Sequence, residues 1–328
     1  MNKTHPLLVI AGGGFLSRET SRRFAVAGWT VRVLTRDPTG TAPEAEAVPW
    51  DGLTHGPWKA VLTGADALIN FCGRSVNCRY HGANRRAILE SRLSTTRLLG
   101  EAVRASPRPP PVWLNAASAT IYRHAEDRPM DEATGEIGHG FSVDVCQAWE
   151  EAATRDLDPR VRQVLLRTSM VLGHGDNSVY PVLARLARFG LGGTLGNGNQ
   201  FVSWIHVDDF CRALAFLIRH PLEGPVNVTA PEPVTNRELM RTLRESLDRR
   251  FGLPANRQML EIGAFLLRTE TELTLKSRRV DPRRLREAGF SWRYPRIGDA
   301  LRALAEKRSD TPLPVSLHAW QNKRHAGY

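Results

Sequence analysis

A glycine-rich segment near the N-terminus has the residue types and spacing of a phosphate-binding loop. An apolar run at 7–11 precedes three glycines at 12–14, and a helical pattern begins directly after them. Glycines allow a tight turn and a close approach of the backbone to a pyrophosphate, which the free N–H groups of a helix N-terminus stabilise. In the pattern G-x-x-G-x-x-G, Gly14 matches, and the small residues Ala11 and Ser17 take the outer positions. A glycine-rich turn without a ligand is the alternative. We predict a dinucleotide site formed by Ala11, Gly12, Gly13, Gly14, Phe15 and Leu16.

The residue that closes the second apolar run bears on the type of dinucleotide. That run, 30–35, is followed by Arg36. An acidic residue here would bond the ribose 2′-hydroxyl of NAD, whereas an arginine matches the 2′-phosphate of NADP. The alternative is a solvated charge at a strand end. We therefore predict NADP(H) in preference to NAD(H).

Two further segments are candidates for the adenosine half of the cofactor. The fourth apolar run ends in a small turn that lets a ligand approach the backbone, and Asp51 follows Trp50 close to the end of the third run. We predict that Asp51 approaches the adenine edge and that the turn contributes Asn70, Cys72 and Gly73.

The elements that position these residues alternate along the first half of the chain. Apolar, β-type runs and helical patterns follow each other at regular spacing, which is typical of a doubly wound parallel sheet. We predict an α/β fold of the Rossmann type with strands at 6–11, 30–35, 45–49, 66–71, 111–116 and 161–167, and helices at 15–27, 82–105 and 141–157.

The second half has a looser pattern. A glycine-rich loop precedes an apolar run at 201–207, and the patterns then predict a helix at 208–220, a strand at 225–228 and helices at 235–248, 258–268 and 297–306. We expect an NAD(P)-binding Rossmann domain at 1–172, to which 206–222 returns. A smaller C-terminal substrate-binding region is expected at 173–305, and a basic, poorly ordered tail at 306–328.

Composition limits the classes of partner. The 328 residues carry 45 Lys and Arg against 34 Asp and Glu, a net charge of +11. The basic residues are scattered and not interleaved with aromatic residues, which argues against nucleic acid as a partner, although a positive field favours phosphate-bearing ligands. The four cysteines lack C-x-x-C spacing, so neither a disulfide framework nor a metal site is expected. We expect neither a membrane segment nor a leader, and we expect a cytoplasmic protein.

Several blocks of the sequence resemble a known superfamily. The chain is similar, from residue 7 to about 304, to the extended short-chain dehydrogenases/reductases, and most similar to their atypical branch of nucleoside-diphosphate-sugar epimerases. The blocks that carry the resemblance are ALINFCG (67–73), SATIY (118–122), VCQAWE (145–150), LLRTSMVLG (165–173), FVSWIHVDDF (201–210), PVNVTAPEPVTN (225–236) and SRRVDPRRLREAGFSWRYP (277–295).

The resemblance implies NADP(H) as cofactor. Relatives in the superfamily often dimerise through helices that correspond to those at 82–105 and 141–157, so by analogy a homodimer is expected. It assigns to Ser118 the role of bonding a substrate oxygen beside the nicotinamide, with a strand-end capping serine as the alternative. Residues 119 and 120 are alanine and threonine, so the carboxylate that sugar dehydratases use to protonate a leaving hydroxyl is missing. We therefore do not expect dehydration.

The same alignment places Ser142 and Cys146 where the superfamily has its catalytic tyrosine and lysine. A serine hydroxyl cannot be tuned as that tyrosine is, and loss of a positioned acid or base typically costs about 10²–10⁴-fold in rate. Tyr80, Tyr122 and Cys146 are the candidates for the proton transfer. The structural alternatives are packing under a loop for Tyr122 and an inert buried thiol for Cys146. Tyr80 lies in the loop after the fourth strand, close to where a substrate would enter.

The block around 200–209 contributes the remaining candidates. We expect Gln200 and Trp204 to line the substrate region, His206 to be structural, and Asp208 and Asp209 to act at a helix N-terminus. Arg167 fits either an anion contact or an ion pair. The resulting hypothesis is an NADP(H)-dependent oxidoreductase or epimerase for a small polar, nucleotide-sugar-like substrate. The alternatives are a non-catalytic NADP(H) sensor or scaffold and, third, a nucleic-acid binder.

Overall fold

A central parallel sheet organises the protein. The computed structural model describes residues 5–175, 178–255 and 276–307. Its strands are β1 (Leu7–Ala11), β2 (Thr30–Thr35), β3 (Glu46–Pro49), β4 (Ala67–Asn70), β5 (Val112–Ser118), β6 (Arg162–Thr168), β7 (Met170–Leu172), β8 (Phe201–Val202), β9 (Trp204–His206), β10 (Gly224–Val228) and β11 (Val234–Thr235). Seven of them form one parallel sheet in the order β3-β2-β1-β4-β5-β6-β10. This is the Rossmann order with one added strand, and it confirms the predicted fold class.

The helices that the structure describes are α1 (Phe15–Val26), α2 (Gly82–Ala105), α3 (Phe141–Thr154), α4 (Val179–Arg188), α5 (Val207–Arg219), α6 (Asn236–Ser246), α7 (Arg283–Glu287) and α8 (Ile297–Ala305). The strong apolar runs and helical periodicities predicted most of these elements to within three residues. The predicted helix at 258–268 and nearly all of the predicted tail lie outside the described residues.

Alternation along each strand divides the core into two layers. Leu8 and Ile10 of β1 pack in the layer that α1 and α5 cover, whereas Val9 packs with Leu99 of α2 on the opposite face. Successive side chains of a strand point to opposite faces, and a sheet buried on both faces needs the near-continuous apolar runs seen in the sequence.

A second core holds the C-terminal elements together. It joins α4, α6 and α8 through residues such as Tyr180, Leu239 and Leu301. The pairs β7–β9 and β8–β11 form two small sheets beside it. The helix α4 was not predicted from the sequence; it follows a glycine-containing loop and has Pro181 in its first turn. The apolar run at 201–207 is likewise divided between β8, β9 and the start of α5.

The strand order reverses between β1 and β4, which lie side by side although two strands separate them in the chain. In doubly wound sheets, ligands bind at the carboxyl ends of the strands at such a reversal. Within the described part of the chain, no helix is both long and apolar enough to span a bilayer. The same residues contain no cluster of three His, Cys, Asp or Glu side chains suited to a metal ion.

Candidate active site

The glycine loop is held tightly between the ends of β2 and β4. Gly12 has a φ of +107°, and a Cβ built on it would lie 3.1 Å from the carbonyl carbon of Phe71. A Cβ on Gly13 would lie 2.7 Å from Oγ1 of Thr35. Both positions therefore require glycine, Gly12 because of its backbone conformation and Gly13 because of the close side chain.

Gly14 differs from its two neighbours because it faces open space. It is the N-cap of α1 with a φ of −82°, and its added Cβ would meet no described residue within 4 Å. No side chain caps the helix there, so the first N–H groups of α1 point into this space without a side-chain acceptor. A free helix N-terminus above a backbone that lacks side chains fits a pyrophosphate. The site thus has the shape and the donors that a dinucleotide needs.

Arg36 is exposed at the end of β2, beyond the glycine loop. The positive charge of Arg36 lowers the pKa of the Cys72 thiol, which follows β4. Burial has the larger, opposite effect and raises that pKa to about 12. Arg36 therefore lies close enough to the β4 turn to reach a ligand that spans both strand ends.

Asp51 is engaged by its own loop. Its carboxylate accepts hydrogen bonds from the backbone N–H groups of Leu53 and Thr54 at 2.8 and 2.9 Å and from the Thr54 hydroxyl at 2.6 Å. These bonds lower the pKa of Asp51 to about 2. Contact between Asp51 and adenine stays a prediction, and it would have to use an oxygen that already stabilises this turn.

Asn70 shapes the β4 turn from the inside. Its amide nitrogen donates to the Thr96 hydroxyl at 3.0 Å and to the Asn115 side-chain oxygen at 2.8 Å, and its oxygen accepts from the Cys72 N–H at 3.0 Å. The Trp149 indole N–H also donates to the Thr96 hydroxyl. Asn70 is fully buried, so it positions Cys72 and Gly73 and its amide is not available to a ligand. Thr96 and Asn115 were not candidates from the sequence, because the network that they form with Asn70 and Trp149 joins four elements, α2, β5, β4 and α3.

A cleft of about 380 Å³ opens beside the glycine loop, at the ends of β4, β5 and β6. The cleft joins the glycine loop to Ser118, Ser142 and Cys146, the residues that the resemblance singled out. Its walls include Gly14, Phe15, Leu16, Ser17, Phe71, Val76, Tyr80, Ile88, Arg92, Ser118, Thr120, Phe141, Ser142, Val145, Cys146, Trp149 and Thr168.

Ser118 ends β5 at the floor of this cleft. Its hydroxyl donates to the Thr120 hydroxyl at 2.9 Å and accepts from the Thr120 N–H at 3.2 Å. The capping role that was the alternative for Ser118 is therefore present. Because the side chain is only half-buried and lines the cleft, the cap does not prevent contact with a substrate oxygen.

Ser142 and Cys146 lie one turn apart on α3 and both line the cleft. The Ser142 hydroxyl is buried and has no hydrogen-bond partner among the described residues. Burial, assisted by the Glu150 charge, raises the pKa of Cys146 to about 12, against opposing effects of Arg92, Arg278 and Ser118. Cys146 is therefore a neutral thiol near pH 7 and a weak proton donor.

Tyr80 lines the cleft beside the N-terminal end of α3. Its ring packs edge-on against Phe141 with the centroids 5.1 Å apart. The nearby guanidinium of Arg92 stacks over the Trp149 ring at 5.0 Å and interacts electrostatically with both Tyr80 and Cys146. The sequence analysis did not select Arg92, because one arginine among many on a long helix carries no local signal.

Tyr122 does not lie in the cleft, which corrects its selection as a proton donor. It is fully buried, and its hydroxyl donates to the Asn227 oxygen at 2.9 Å and accepts from Arg167 at 3.0 Å. Arg167 in turn makes two 2.8 Å hydrogen bonds to the Glu150 carboxylate. Burial raises the pKa of Tyr122 further above its usual value. Of the two roles left open for Arg167, the structure shows the ion pair.

The two residues selected for substrate contact are also buried. Trp204 has no exposed surface and its indole N–H donates to the Glu232 carbonyl at 3.1 Å. Gln200 is 3% exposed, and its amide nitrogen donates to the Leu195 carbonyl at 2.9 Å. Neither lines the cleft, and Trp204 packs in the second core.

The polar residues that follow Trp204 tie α5 to its neighbours. His206 is the N-cap of α5, and its Nδ1 accepts from the Asp208 N–H at 3.1 Å, as expected for a structural histidine. Asp208 forms a buried ion pair with Arg23 of α1. Asp209 accepts from the backbone N–H groups of Arg293 and Tyr294, both at 2.8 Å. The two aspartates lie in the first turn of α5, and their carboxylates also bind other elements.

The strand order, the glycine loop and the adjoining cleft define an α/β protein of the dinucleotide-binding class. The model of the NAD dependent epimerase/dehydratase family matches residues 7–229, and the chain belongs to this family. A domain of unknown function (DUF1731) matches residues 259–304. The protein is thus an epimerase-like member of an NAD(P)-binding family.

Individual relatives extend over most of the chain. The epimerase family protein SDR39U1 of Bos taurus is 30% identical over 305 residues, which cover 90% of this chain and 98% of the relative. The crystal structure of human epimerase family protein SDR39U1 (isoform 2) with NADPH is similar at a TM-score of 0.80 and 28% identity, covering 92% of this chain and 99% of that one. A nucleoside-diphosphate sugar epimerase from Corynebacterium glutamicum has a TM-score of 0.72 and 26% identity, with 99% and 62% of the two chains covered.

Proposed function

We propose that the protein binds NADP(H) and catalyses hydride transfer in a small polar, nucleotide-sugar-like substrate. The observation that carries this proposal is the continuity of one cleft from the free N-terminus of α1 at Gly14 to Ser118 at the end of β5. A nicotinamide bound there would supply or accept the hydride. The residues of the chain would hold the reactants and move the proton.

Ser118 would bond the reacting oxygen of the substrate, in exchange for its present bond to the Thr120 hydroxyl. Of the two tyrosines that were candidates for the proton transfer, Tyr80 lies in the cleft and Tyr122 does not. We therefore assign the proton transfer to Tyr80. The neighbouring Arg92 cation interacts electrostatically with Tyr80. Cys146 stays protonated and would contribute only packing and a weak hydrogen bond.

The preference for NADP(H) rests on Arg36. The side chain is exposed at the end of β2, where a Rossmann fold holds the residue that contacts a 2′-phosphate. Its charge also acts on Cys72 of the β4 turn. The NADPH in the crystal structure of the human relative supports this choice, although the family description speaks of NAD.

Fluorescence titration with NADPH and NADH tests the cofactor proposal. We expect tighter binding of NADPH, and Arg36→Ala should reduce that advantage by about 10- to 100-fold, the value of a charge-assisted contact to phosphate. Arg32→Ala is a matched control on the same strand, because Arg32 pairs with Glu46 at 2.7 Å. Equal affinities for the two cofactors in the wild type, or an unchanged ratio in Arg36→Ala, would contradict the preference.

Turnover is tested by following NADPH absorbance and product stereochemistry with a panel of sugar and carbonyl substrates. Ser118→Ala and Tyr80→Phe should each reduce kcat by about 10²-fold or more while NADPH affinity is kept. Tyr122→Phe serves as the control outside the cleft. Activity that survives both cleft substitutions would refute the assigned roles.

The side chains at 142 and 146 favour a second candidate, a non-catalytic NADP(H) sensor. Here the cleft presents an unpartnered buried hydroxyl and a neutral thiol in place of the usual acid and its cation. A sensor should bind NADP⁺ and NADPH with different affinities and change its protease sensitivity between the two forms. Equal affinities together with identical cleavage patterns would eliminate this candidate.

A further inference from the structure

Arg92 is a cation in the inner wall of the cleft, held in place by the protein but only partly used by it. Its Nη1 donates to the backbone carbonyl oxygens of Arg74 and Ile88, at 3.1 and 2.9 Å. The guanidinium lies over the Trp149 ring, and a Cβ on Gly73 would come within 3.1 Å of its central carbon. These contacts fix the plane of the guanidinium before any ligand arrives.

The opposite edge of the same group is free. Within residues 5–175, 178–255 and 276–307, Nε and Nη2 of Arg92 have no hydrogen-bond acceptor, and no carboxylate forms an ion pair with the group. Arg167 shows what such an edge does when it is used, because its Nε and Nη2 both bond the Glu150 carboxylate at 2.8 Å. Two parallel N–H groups match the two oxygens of a carboxylate in geometry as well as charge.

The electrostatics of the cleft also favour an anion. The charge of Arg92 acts on Cys146, and so does that of Arg278 from the C-terminal segment. Glu150 is the nearby carboxylate that opposes them, but it is already paired with Arg167. A half-buried cation without a counter-ion is costly, and burial lowers the pKa of Arg92 accordingly. An anionic ligand would remove this cost.

We propose that Arg92 binds a carboxylate of the substrate through its Nε and Nη2 edge, so that the substrate class is a carboxylate-bearing hydroxy or keto compound, such as a uronic acid. The inference rests on the proposed function, because Ser118 of the same cleft would hold the reacting oxygen. The cleft of about 380 Å³ must also accept the nicotinamide end of the cofactor, which restricts the substrate to a small reacting group.

Matched pairs of probes test this by calorimetric titration of the NADPH complex. The pairs are glucuronate with glucose and lactate with propane-1,2-diol, each differing in a carboxylate, and inorganic phosphate is a separate arm. We expect the carboxylate of each pair to bind about 10- to 100-fold more tightly. Arg92→Gln keeps a polar amide but no charge, and it should abolish the difference. Arg92→Lys should keep only part of it.

Arg97→Ala is the control, since Arg97 is exposed on the same helix and outside the cleft, and it should leave the difference unchanged. Equal binding within the pairs, or a carboxylate preference that persists in Arg92→Gln, would overturn the inference. Arg92-dependent binding of phosphate but not of carboxylates would overturn it as well. The titrations are repeated without NADPH, so that a failure of cofactor binding, which would count against the proposed function, is separated from a failure of the anion site.

Discussion

Replacement of Tyr122 by phenylalanine should destabilise the fold and spare the cleft. The substitution removes one buried oxygen and keeps the ring, which packs with Ile121 and Met130 in a small core of its own. Two partners then lose a bond, because the hydroxyl joins Asn227 at 2.9 Å to Arg167 at 3.0 Å. The loss is therefore one of hydrogen bonding and not of volume.

The magnitude follows from those two partners. The Asn227 oxygen loses the one donor that Tyr122 provides, and each unsatisfied buried polar group costs about 1–3 kcal/mol. Arg167 retains its two bonds to Glu150, which limits its share of the loss. We expect the free energy of unfolding to fall by about 2–4 kcal/mol.

Urea unfolding followed by tryptophan fluorescence measures this change, with NADPH affinity and turnover determined on the same samples. Tyr80→Phe is the counterpart, because the Tyr80 ring is half-buried at the cleft and should lose less than about 0.5 kcal/mol of stability. If Tyr122→Phe unfolded like the wild type but lost activity, the hydroxyl would be functional, and our placement of Tyr122 in the core would be refuted.

Three other perturbations separate the roles of neighbouring residues. Gly12→Ala should lower the free energy of unfolding by about 1–3 kcal/mol, because Gly12 has a positive φ. Gly14→Ala should leave thermal stability unchanged but weaken NADPH binding, because Gly14 faces open space. Equal melting temperatures for the two variants would contradict this. Burial lowers the folded-state pKa of His206 to about 3, so the unfolded state binds more protons than the folded state below pH 6.5. The free energy of unfolding should therefore fall as the pH drops from 6.5 towards 3, by up to about 1.4 kcal/mol per pH unit. His206→Asn replaces the N-cap acceptor Nδ1 by a side-chain oxygen that does not titrate, and it should flatten this part of the pH profile of urea midpoints. Iodoacetamide at pH 8 should label the half-exposed Cys78 before Cys146, since burial raises the pKa of the latter thiol; peptide mass spectrometry showing the reverse order would disprove the neutral-thiol assignment.

The elements that were predicted well are those whose signals are local. The limits of α2 coincide with the predicted 82–105, and those of β2 with 30–35. A buried strand or an amphipathic helix requires apolar residues at a regular spacing, and this spacing is visible in the sequence. The helix α4 was missed because its role depends on α6 and α8, which are distant in the chain.

The candidate site divides in the same way. The glycine loop and Ser118 lie in the cleft, since a strand end next to a helix start is a local feature of the chain. Tyr122 and Trp204 were selected for chemical type, but side-chain type does not reveal the direction in which a side chain points once the chain has folded. Arg92 was overlooked for the converse reason, because its significance comes from Trp149 and Cys146 on another helix.

The amino-acid sequence by itself determined the α/β class, the strand and helix order of the first half and the position of the glycine loop, because each depends on residues near one another in the chain. Tertiary structure alone decided which hydroxyl, thiol and guanidinium groups share one cleft, because that depends on how α2, α3 and the strand ends pack. Around Ser142 and Cys146, where the resemblance leads one to expect a tyrosine and a lysine, packing places Arg92, Tyr80 and Ser118 in the same cleft. The chemistry open to the protein follows from that juxtaposition.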